Sequence, residues 1–289
     1  MTKEKSMQYI ALYNPYAANG KGIEGAERLR LFYAEKDLSF VSMTAVDYPT
    51  FFKELGEDER VIVCGGDGTL NRFVNEAKGL YEGKAIYYYA CGSGNDFLRD
   101  LGKEAGCEPF CINEYIRDLP TVTVKGQEYR FINGVGYGID GYCCEEGDRI
   151  REKKPGKKIN YTGIAIKGLL FKYKPTNATV IVDGKEYAFK KVWLAPTMHG
   201  RYYGGGMMPT PAQDRLGEKK SSVMVFHGSG KLKTLMIFPS IFKGEHIKKT
   251  KCVTVLEGKE ITVKFDAPRA VQVDGETILG VTEYTVRND

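Results

Sequence analysis

The chain has 289 residues, of which 42% are hydrophobic and 27% charged, a balance typical of a folded globular protein rather than a disordered one. Its 42 Lys and Arg residues exceed its 37 Asp and Glu residues, and the resulting charge of +5 favours anionic partners without indicating a nucleic-acid-binding protein. No apolar run approaches the roughly 20 residues that span a bilayer, and the N-terminal MTKEKSMQYIALYNP lacks the apolar core of a signal peptide, so we expect a cytoplasmic protein with no transmembrane segment.

The first 119 residues alternate strand-like and helix-like segments. Runs such as QYIALYN and KAIYYYA have the composition of strands, and LNRFVNEAKGL has helical spacing. This alternation predicts an α/β domain over residues 1–119 with a mostly parallel sheet covered by helices. The loops after Asn14, Cys64 and Cys91 should then lie at the carboxyl edge of the sheet, where such folds bind ligands.

From residue 120 onward, short alternating runs are separated by turn signals, as in ATVIVDGKEYAF and CVTVLEGKEITVKF. They predict an antiparallel β-sandwich over residues 120–289, with helical insertions at residues 161–172 and 231–242. The lysine-rich stretch REKKPGKKIN contains a Pro-Gly pair and is predicted to be a loop. The last residues either stay in this domain or return to the first.

The stretch VIVCGGDGTLNRFVNEA places an acid between glycines at a predicted strand-to-helix turn. Backbone N–H groups in such a turn point at an anion, and the helix N-terminus adds partial positive charge. The threonine hydroxyl is a further donor, and the acid suits Mg²⁺ bound through water. Residue types alone give equal weight to a tight turn in which the acid caps the following helix. The residues concerned are Gly65, Gly66, Asp67, Gly68 and Thr69.

Two more polar loops follow predicted strands of the same domain. NPYAANGKG has two glycines and a lysine, but no Ser or Thr follows a Gly-Lys pair as in a P-loop. GSGND is another glycine-rich loop between a predicted strand and a predicted helix, and it contains Gly92, Ser93 and Asn95. The first turn lacks the GxGxxG pattern of dinucleotide-binding folds, which argues against a hydride-transfer enzyme.

In chain order, the motifs NPYAANGKG, VCGGDGTLNRFVNEA, GSGNDFLRDLG, GVGYGIDG, GGGM and VDGE resemble those of the diacylglycerol kinase catalytic domain superfamily, especially the bacterial soluble lipid kinases. The resemblance covers essentially the whole chain, from Tyr9 to about Val286. It implies an N-terminal α/β nucleotide-binding domain of the NAD kinase and diacylglycerol kinase type and a C-terminal antiparallel β-sandwich. ATP and its acceptor would meet in the cleft between them.

The resemblance also implies which residues form the site. Asp67 would help to organise Mg²⁺ and the phosphates, and the DGE motif would supply Asp274 and Glu276 as an acid–base pair. The contacts to ATP would fall on loop residues, namely Asn14, Thr44, Gly65, Gly66, Asp67, Gly68, Thr69, Gly92, Ser93 and Asn95.

The assignment at VDGE has a competing interpretation. Residues two apart on a strand face the same side, so Asp274 and Glu276 would present two carboxylates to one acceptor hydroxyl. One of them would take the hydroxyl proton during attack on the γ-phosphoryl group. VDGK at residues 182–185 has the same form and is predicted to be a hairpin turn, so VDGE fits a hairpin as well. The resemblance favours the catalytic interpretation, with Glu276 preferred as the base.

The sequence departs from the family pattern at two places. The family usually has Glu where this chain has Arg72, which changes the local charge by two units; Arg72 remains a candidate phosphate contact. The family also commonly has an Asp-Asp-Gly stretch tied to a structural Mg²⁺, where this chain reads PTPAQDRLGEKK. Asp214 is the natural metal-ligand candidate there, with Glu218 as a second oxygen donor, and a solvated loop is the alternative.

The predicted partners are ATP, Mg²⁺ and a lipid alcohol. GIAIKGLLFKYK and KLKTLMIFPSIFK mix apolar, aromatic and basic residues as membrane-surface helices do, although such faces also pack onto sheets. We therefore expect an ATP-dependent lipid kinase, peripheral at the membrane surface, that phosphorylates diacylglycerol or a similar alcohol. A kinase of a soluble acceptor such as NAD and an inactive nucleotide-binding regulator are the alternatives. The sequence leaves the oligomeric state open, a homodimer included.

Overall fold

The computed structural model describes residues 7–92, 94–154 and 159–288. Contacts between Cα atoms divide the chain into two compact units, Met1–Arg117 and Asp118–Asp289. Within the described ranges, no helix combines the length and the apolar character needed to cross a membrane.

The first unit is a mixed sheet flanked by helices, in the strand order β2-β1-β3-β4-β5. The first four of these strands pair in parallel, and the short fifth strand pairs with β4 in the antiparallel sense. The strands are β1 (Gln8–Tyr13), β2 (Leu38–Ser42), β3 (Glu59–Gly65), β4 (Ile86–Ala90) and β5 (Phe110–Cys111). This sheet confirms the predicted α/β class.

The helices of the first unit are short, and the longest of those described follows β3. Three single-turn 3₁₀ segments lie at Glu27–Leu31, Glu35–Asp37 and Met43–Ala45. The stretch AANGKG, which the sequence suggests is a loop, contains the whole of the first short helix and the first residue of the second. The α-helices are α1 (Ala17–Gly20), α2 (Gly22–Ala26), α3 (Tyr48–Glu54), α4 (Asp67–Glu76), α5 (Asp96–Asp100) and α6 (Asn113–Ile116).

The second unit is built on an antiparallel sheet in the order β13-β12-β11-β8-β14-β15-β6-β7, with β9 and β10 branching from β14. The strands are β6 (Thr121–Val124), β7 (Gln127–Arg130), β8 (Gly134–Tyr137), β9 (Thr176–Val182), β10 (Lys185–Val192), β11 (Thr197–Met198), β12 (Ser221–Phe226), β13 (Val253–Gly258), β14 (Glu260–Val273) and β15 (Glu276–Arg287). The predicted antiparallel class is therefore confirmed. Because β15 pairs with β14 and β6, the described chain ends within this unit.

Strand β14 connects the parts of this sheet. Its first half pairs with β9 and its second half with β8, while β15 runs along the other edge. Pro268 lies at the shift in register between Lys264 and Arg269, where the ladder needs no N–H donor. Alternate residues of β14 enter a core of valines and aromatic side chains, in which the rings of Tyr137 and Phe265 stack with centroids 3.4 Å apart.

The helices of the second unit pack against this sheet. They are α7 (Ile139–Lys153), α8 (Tyr161–Lys167), which continues as a π-helical turn over Gly168–Lys172, and α9 (Lys231–Ile237), which is followed by 3₁₀ turns at Phe238–Lys243 and Glu245–Lys248. The two predicted helical insertions are confirmed by α8 and α9. The predicted loop REKKPGKKIN overlaps the end of α7, and residues 155–158 lie outside the described residues.

Helix α7 was not predicted from the sequence, because its glycines resemble turn signals. A β-carbon on Gly141 would overlap the carbonyl of Ala270 on β14, and one on Gly147 would meet the ring of Tyr161. Both glycines therefore permit close packing of the helix rather than a break in it.

Candidate functional site

The loops that follow β1, β2, β3 and β4 lie at one edge of the first sheet. The four strands are parallel and in register, so their carboxyl ends point the same way. Asn14, Thr44, Gly66 and Gly92 follow these strands and share that edge. The predicted convergence of the loops is therefore confirmed.

The GGDGT loop turns directly from β3 into α4. Gly66 has extended backbone angles, and its carbonyl accepts hydrogen bonds from the N–H groups of Thr69 (3.0 Å) and Leu70 (3.1 Å). Thr69 is buried, and a β-carbon on Gly65 would overlap its side chain. In contrast, a β-carbon on Gly68 would meet, among the described residues, no atom within 4 Å apart from its chain neighbours and its own helix backbone. The loop is thus compact beneath Gly65 and open at Gly68, next to the N-terminus of a ten-residue helix.

Asp67 caps a helix, but not the helix that it begins. Its Oδ1 accepts a hydrogen bond from the N–H group of Phe97 (2.9 Å), and its Oδ2 accepts one from the N–H group of Asp96 (2.8 Å). Both donors belong to the first turn of α5. The carboxylate therefore joins the GGDGT loop to the helix that follows GSGND, and the simpler interpretation of Asp67 as a cap of its own helix is wrong.

The same two loops are also joined through their backbones. The carbonyl of Gly65 accepts hydrogen bonds from the N–H groups of Cys91 (3.0 Å) and Gly92 (3.2 Å) and from the hydroxyl of Tyr88 (3.1 Å). A β-carbon on Gly92 would overlap the backbone of Gly66. Burial, with the nearby charge of Asp67, raises the pKa of Tyr88, so its hydroxyl stays a donor.

Asn95 carries a buried acceptor in the loop after β4. Its Nδ2 donates to the carbonyl of Gly92 (3.0 Å), whereas its buried Oδ1 accepts no hydrogen bond from any of the described residues. A hydroxyl or amino group of a ligand would satisfy this oxygen. Ser93, the other predicted contact in this loop, lies outside the described residues.

The remaining predicted ATP contacts are held by local hydrogen bonds. The Oδ1 of Asn14 accepts from the N–H group of Tyr16 (3.0 Å). Thr44 is exposed, and its hydroxyl bonds the hydroxyl of Ser42 (2.8 Å). Arg72 lies in the second turn of α4, and its Nε forms an ion pair with Glu76 (2.6 Å). Glu76 thus compensates the positive charge that departs from the family pattern.

VDGE forms a hairpin turn in which Asp274 is not part of a strand. Val273 pairs with Glu276, and Asp274 and Gly275 between them have φ values of 46° and 100°. This geometry is that of a two-residue turn with left-handed backbone. The prediction that Asp274 and Glu276 face the same side as strand residues is therefore wrong, because the alternation of side chains ends where the strand ends.

Three backbone N–H groups hold the Asp274 carboxylate. Its Oδ1 accepts from Asn133 (2.9 Å) and Gly134 (3.0 Å), and its Oδ2 accepts from Ile132 (2.5 Å). Glu276 is different: it is exposed at the start of β15, and in the described part of the chain its carboxylate makes no hydrogen bond or ion pair. Of the two carboxylates, the one on Glu276 is the one available to a substrate.

The VDGK turn has the same construction, as predicted. Asp183 has a φ of 47°, and its Oδ1 accepts from the N–H groups of Lys259 (2.9 Å) and Glu260 (2.8 Å). In both turns the aspartate binds the backbone of a neighbouring segment. The turns differ at the next strand's first residue, which is Lys185 in one and Glu276 in the other.

Asp214 does not fit a metal site. Its side chain is exposed, and its Oδ1 accepts from the N–H group of Leu216 (3.0 Å). Across the described residues, no group of three or more His, Cys, Asp or Glu side chains is placed to hold a metal ion. The neighbouring Arg215 is buried instead and donates to the carbonyl of Ile132 (2.7 Å) and to the Oδ1 of Asn133 (3.1 Å).

Asp140 is a buried acid that the sequence analysis did not select, although it lies in the quoted motif GVGYGIDG. Its carboxylate accepts hydrogen bonds from the N–H group of Gly141 (2.9 Å) and the hydroxyl of Tyr203 (3.1 Å). Burial raises the pKa of Asp140 to about 6, although these two hydrogen bonds lower it. A β-carbon on Gly136 would meet both Asp140 and Gln272. The signal in the sequence was an acid at a glycine-rich strand-to-helix turn, the pattern already noted at GGDGT.

Asp140 is linked to the VDGE turn through Gln272. The Oε1 of Gln272 accepts a hydrogen bond from the N–H group of Gly275 (2.6 Å) in that turn. Gly136 leaves room for Asp140 and Gln272 to lie close together. A buried titratable group and the exposed Glu276 thus belong to one connected part of the second unit.

Two protein-family models match the chain. The model described as the diacylglycerol kinase catalytic domain matches residues 8–121, and the model described as the YegS C-terminal NAD kinase beta sandwich-like domain matches residues 133–287. These two matches fall in the first and second units.

Individual proteins show the same similarity. A diacylglycerol kinase of Mycobacterium tuberculosis is 24% identical over 280 residues, which is 92% of this chain and 87% of that protein. A crystal structure of a diacylglycerol kinase from Bacillus anthracis str. Sterne aligns with a TM-score of 0.57 at 17% identity, covering 99% of this chain and 96% of that one. At that identity the structural match supports the fold alone.

Proposed function

The chain belongs to the family of the diacylglycerol kinase catalytic domain with a YegS-type C-terminal domain, and we propose that it transfers the γ-phosphoryl group of ATP to a hydroxyl of diacylglycerol or a similar long-chain lipid alcohol. The family consists of lipid kinases that use ATP. The observation that carries the proposal is the joined pair of glycine loops after β3 and β4, which leave open space at Gly68 beside a helix N-terminus.

The joined loops are proposed to bind the phosphates of ATP. Asp67 acts there as a positioning residue, because both of its oxygens hold the first turn of α5. The free Oδ1 of Asn95 is proposed to accept a hydrogen bond from the sugar or base of the nucleotide. Asn14 and Thr44 would contact ATP from the neighbouring strand ends, and the ion pair of Arg72 with Glu76 leaves Arg72 the weakest of the proposed contacts.

Mg²⁺ is assigned no ligand at Asp214, since neither the exposed carboxylate nor its surroundings fit a metal site. The ion would enter with the phosphates of ATP and offset their negative charge. The proton transfer that accompanies phosphoryl transfer is therefore assigned to a side chain of the protein.

Glu276 is proposed as the general base. A base must be able to reach the acceptor hydroxyl and must have a lone pair to receive its proton. Glu276 meets the second condition because it is exposed and unpaired among the described residues, whereas three N–H donors occupy Asp274. Asp274 would hold the hairpin that presents Glu276.

An exposed apolar patch supports a lipid acceptor at a membrane surface. The patch consists of Phe171, Leu232 and Met236, whose exposed fractions are 76%, 71% and 74%. The ammonium of Lys231 donates to the carbonyl of Leu170 (3.0 Å) and so joins α9 to the π-helical turn. Large apolar side chains exposed together mark surfaces that bind proteins or membranes. The opposite faces of the same segments are buried, as the alternative interpretation of their sequences predicted.

NAD is the second candidate acceptor, because the second unit matches a model described as NAD kinase beta sandwich-like. The decisive test offers labelled ATP with diacylglycerol in mixed micelles and, separately, with NAD. Label in phosphatidic acid is the expected result. Label in NAD alone would overturn the lipid assignment, and ATP binding without transfer to either acceptor would favour an inactive nucleotide-binding regulator.

A further inference from the structure

A cavity of about 370 Å³ lies within the second unit, at a bulge between β14 and β15. Val271 pairs with Ile278 and Arg269 with Val281, so that Leu279 and Gly280 together oppose Ala270. This two-against-one arrangement is a β-bulge, a feature that often adjoins functional sites. The residues of its wall that matter for binding are Glu145, Lys172, Tyr173, Lys174, Arg269 and Leu279.

The wall of the cavity carries positive charge without a matching negative charge. Lys172 and Lys174 make no ion pair within the described residues, and the recorded partner of the Arg269 guanidinium is neutral, the carbonyl of Lys174 (3.2 Å). The single acid of the wall, Glu145, already pairs with Arg149 (2.7 Å). An additional cation is nearby, since Lys125 lies beside Gly280.

Arg269 lies beside Tyr173 in the wall. Its guanidinium carbon is 5.7 Å from the ring centroid of Tyr173. Burial raises the pKa of the Tyr173 hydroxyl, while the charge of Arg269 and a side-chain hydrogen bond with it lower that pKa. The guanidinium, which stays protonated, therefore holds its positive charge at this wall.

We propose that this cavity binds the phosphate group of a small organic phosphate. Uncompensated cations around one cavity select an oxyanion, and Arg with Lys is the usual combination for phosphate. The volume exceeds the needs of inorganic phosphate and falls in the range of small-molecule sites. Apolar atoms of Pro268 and Leu279 would cover the carbon part of a glycerol phosphate group. The source is either a free phosphorylated metabolite or the headgroup of a phospholipid.

Trp193 makes the proposal directly measurable. It is the one tryptophan of the chain, it is buried, and its ring centroid lies 6.1 Å from that of Tyr173. A ligand that contacts Tyr173 is therefore expected to change the tryptophan fluorescence. The full-length protein would be titrated with inorganic phosphate, with glycerol 3-phosphate, and with phosphatidylcholine vesicles with or without phosphatidylglycerol.

We expect saturable binding of glycerol 3-phosphate, or of vesicles only when they contain phosphatidylglycerol, and these two outcomes distinguish a soluble ligand from a headgroup. In the double variant Lys172→Gln/Lys174→Gln, affinity should fall by about tenfold or more. The matched control Lys185→Gln/Lys190→Gln removes the same charge from exposed positions of β10 and should bind normally.

Equal loss of affinity in both double variants would overturn the proposal, because binding would then depend on net charge rather than on the cavity. The absence of saturable binding by any of the probes would overturn it as well. These measurements need no ATP and no turnover, so they stand or fall separately from the proposed kinase activity.

Discussion

Asp274 and Arg215 hold the same short segment by complementary hydrogen bonds. The Asp274 carboxylate accepts from the N–H groups of residues 132–134, while the buried Arg215 guanidinium donates to the carbonyl of Ile132 and the side chain of Asn133. The carbonyl of Asn133 accepts in turn from the N–H groups of His199 and Gly200. The segment before β8 is thereby fixed through nearly all of its polar groups.

This arrangement predicts a structural role for Asp274. Asp274→Asn replaces one accepting oxygen by a donor that faces a backbone N–H group, and we expect the free energy of unfolding to fall by about 1 to 3 kcal/mol. Urea unfolding measures the change. Asp183→Asn, in the equivalent turn, is the matched control: only its Oδ1 accepts from backbone N–H groups, so an amide oxygen keeps both hydrogen bonds and the free energy of unfolding should change less. A loss of activity with unchanged unfolding would instead assign Asp274 a direct role in the chemistry.

Glu276→Gln is predicted to lower the rate of phosphoryl transfer without changing the stability of the protein. Because Glu276 has no partner among the described residues, its removal should leave the unfolding transition in place. If it is the base, kcat should fall by roughly 10² or more while KM for ATP changes little. Glu186→Gln, at an exposed position of β10 after the VDGK turn, is the control. Wild-type kcat in the Glu276 variant would exclude it as the base.

The glycine loops predict two distinguishable effects of alanine. Gly92→Ala would push a β-carbon into the backbone of Gly66, so both the stability of the protein and its binding of ATP should decrease. An added methyl at Gly68 makes no close contact outside its own helix within the described part of the chain, so Gly68→Ala should not destabilise the protein and should weaken ATP binding only because the methyl occupies ligand space. Calorimetric titration with a non-hydrolysable ATP analogue, together with thermal unfolding, tests both. Normal ATP binding by Gly68→Ala would place the phosphates elsewhere.

Asp140 predicts a specific dependence of stability on pH. Its pKa is raised from 3.8 to about 6, so between these values the folded state binds more protons than the unfolded state. The contribution to stability is therefore full below the unfolded-state pKa and is lost as the pH rises through 6. A shift of this size corresponds to about 3 kcal/mol at neutral pH.

Asp140→Asn tests this dependence, because asparagine does not titrate. Compared with the wild type, the variant should gain stability at pH 8 relative to pH 4. Urea unfolding at several pH values measures the difference, and Glu152→Gln, at an exposed position of the same helix, should leave the profile unchanged. Parallel profiles for the wild type and Asp140→Asn would show that Asp140 titrates normally.

The apolar patch is predicted to control membrane binding. Replacing Phe171, Leu232 and Met236 by serine should reduce the affinity for phosphatidylglycerol vesicles, measured by sedimentation, by roughly a thousandfold, since each large side chain contributes about 1.5 kcal/mol when it leaves water. Leu31→Ser, at an 80% exposed position of the first unit, is the control. Unchanged sedimentation would remove the patch from the lipid interface.

The position of the loops in the first unit could be predicted because the carboxyl ends of parallel strands lie at one edge of a sheet, whatever the side chains are. Once a mostly parallel sheet was inferred from the alternation of strand-like and helix-like segments, the loops that contain Gly66 and Gly92 had to lie at one edge. What the sequence did not reveal is that they touch, because the contact depends on the distance between two backbones. Asp67 illustrates the same limit: its partners Asp96 and Phe97 are distant in sequence and offer only N–H groups, which every residue has.

The second unit was harder to predict because several of its signals have two physical meanings. Residues two apart lie on the same face only while the chain remains a strand, and the strand ends at the Asp-Gly pair of VDGE. Glycine marks turns, yet Gly141 and Gly147 lie within a helix that packs closely. Asp140 was missed because burial, which raises its pKa, is a property of the packed structure.

The two aspartate turns have a consequence for how this part of the chain can change. VDGK shows that Asp and Gly alone complete such a hairpin, with a lysine in the position that follows. In VDGE that position is occupied by Glu276, whose carboxylate makes no hydrogen bond or ion pair among the described residues. The side chain that follows such a turn can therefore change, from a lysine to a glutamate, while the hairpin itself stays the same.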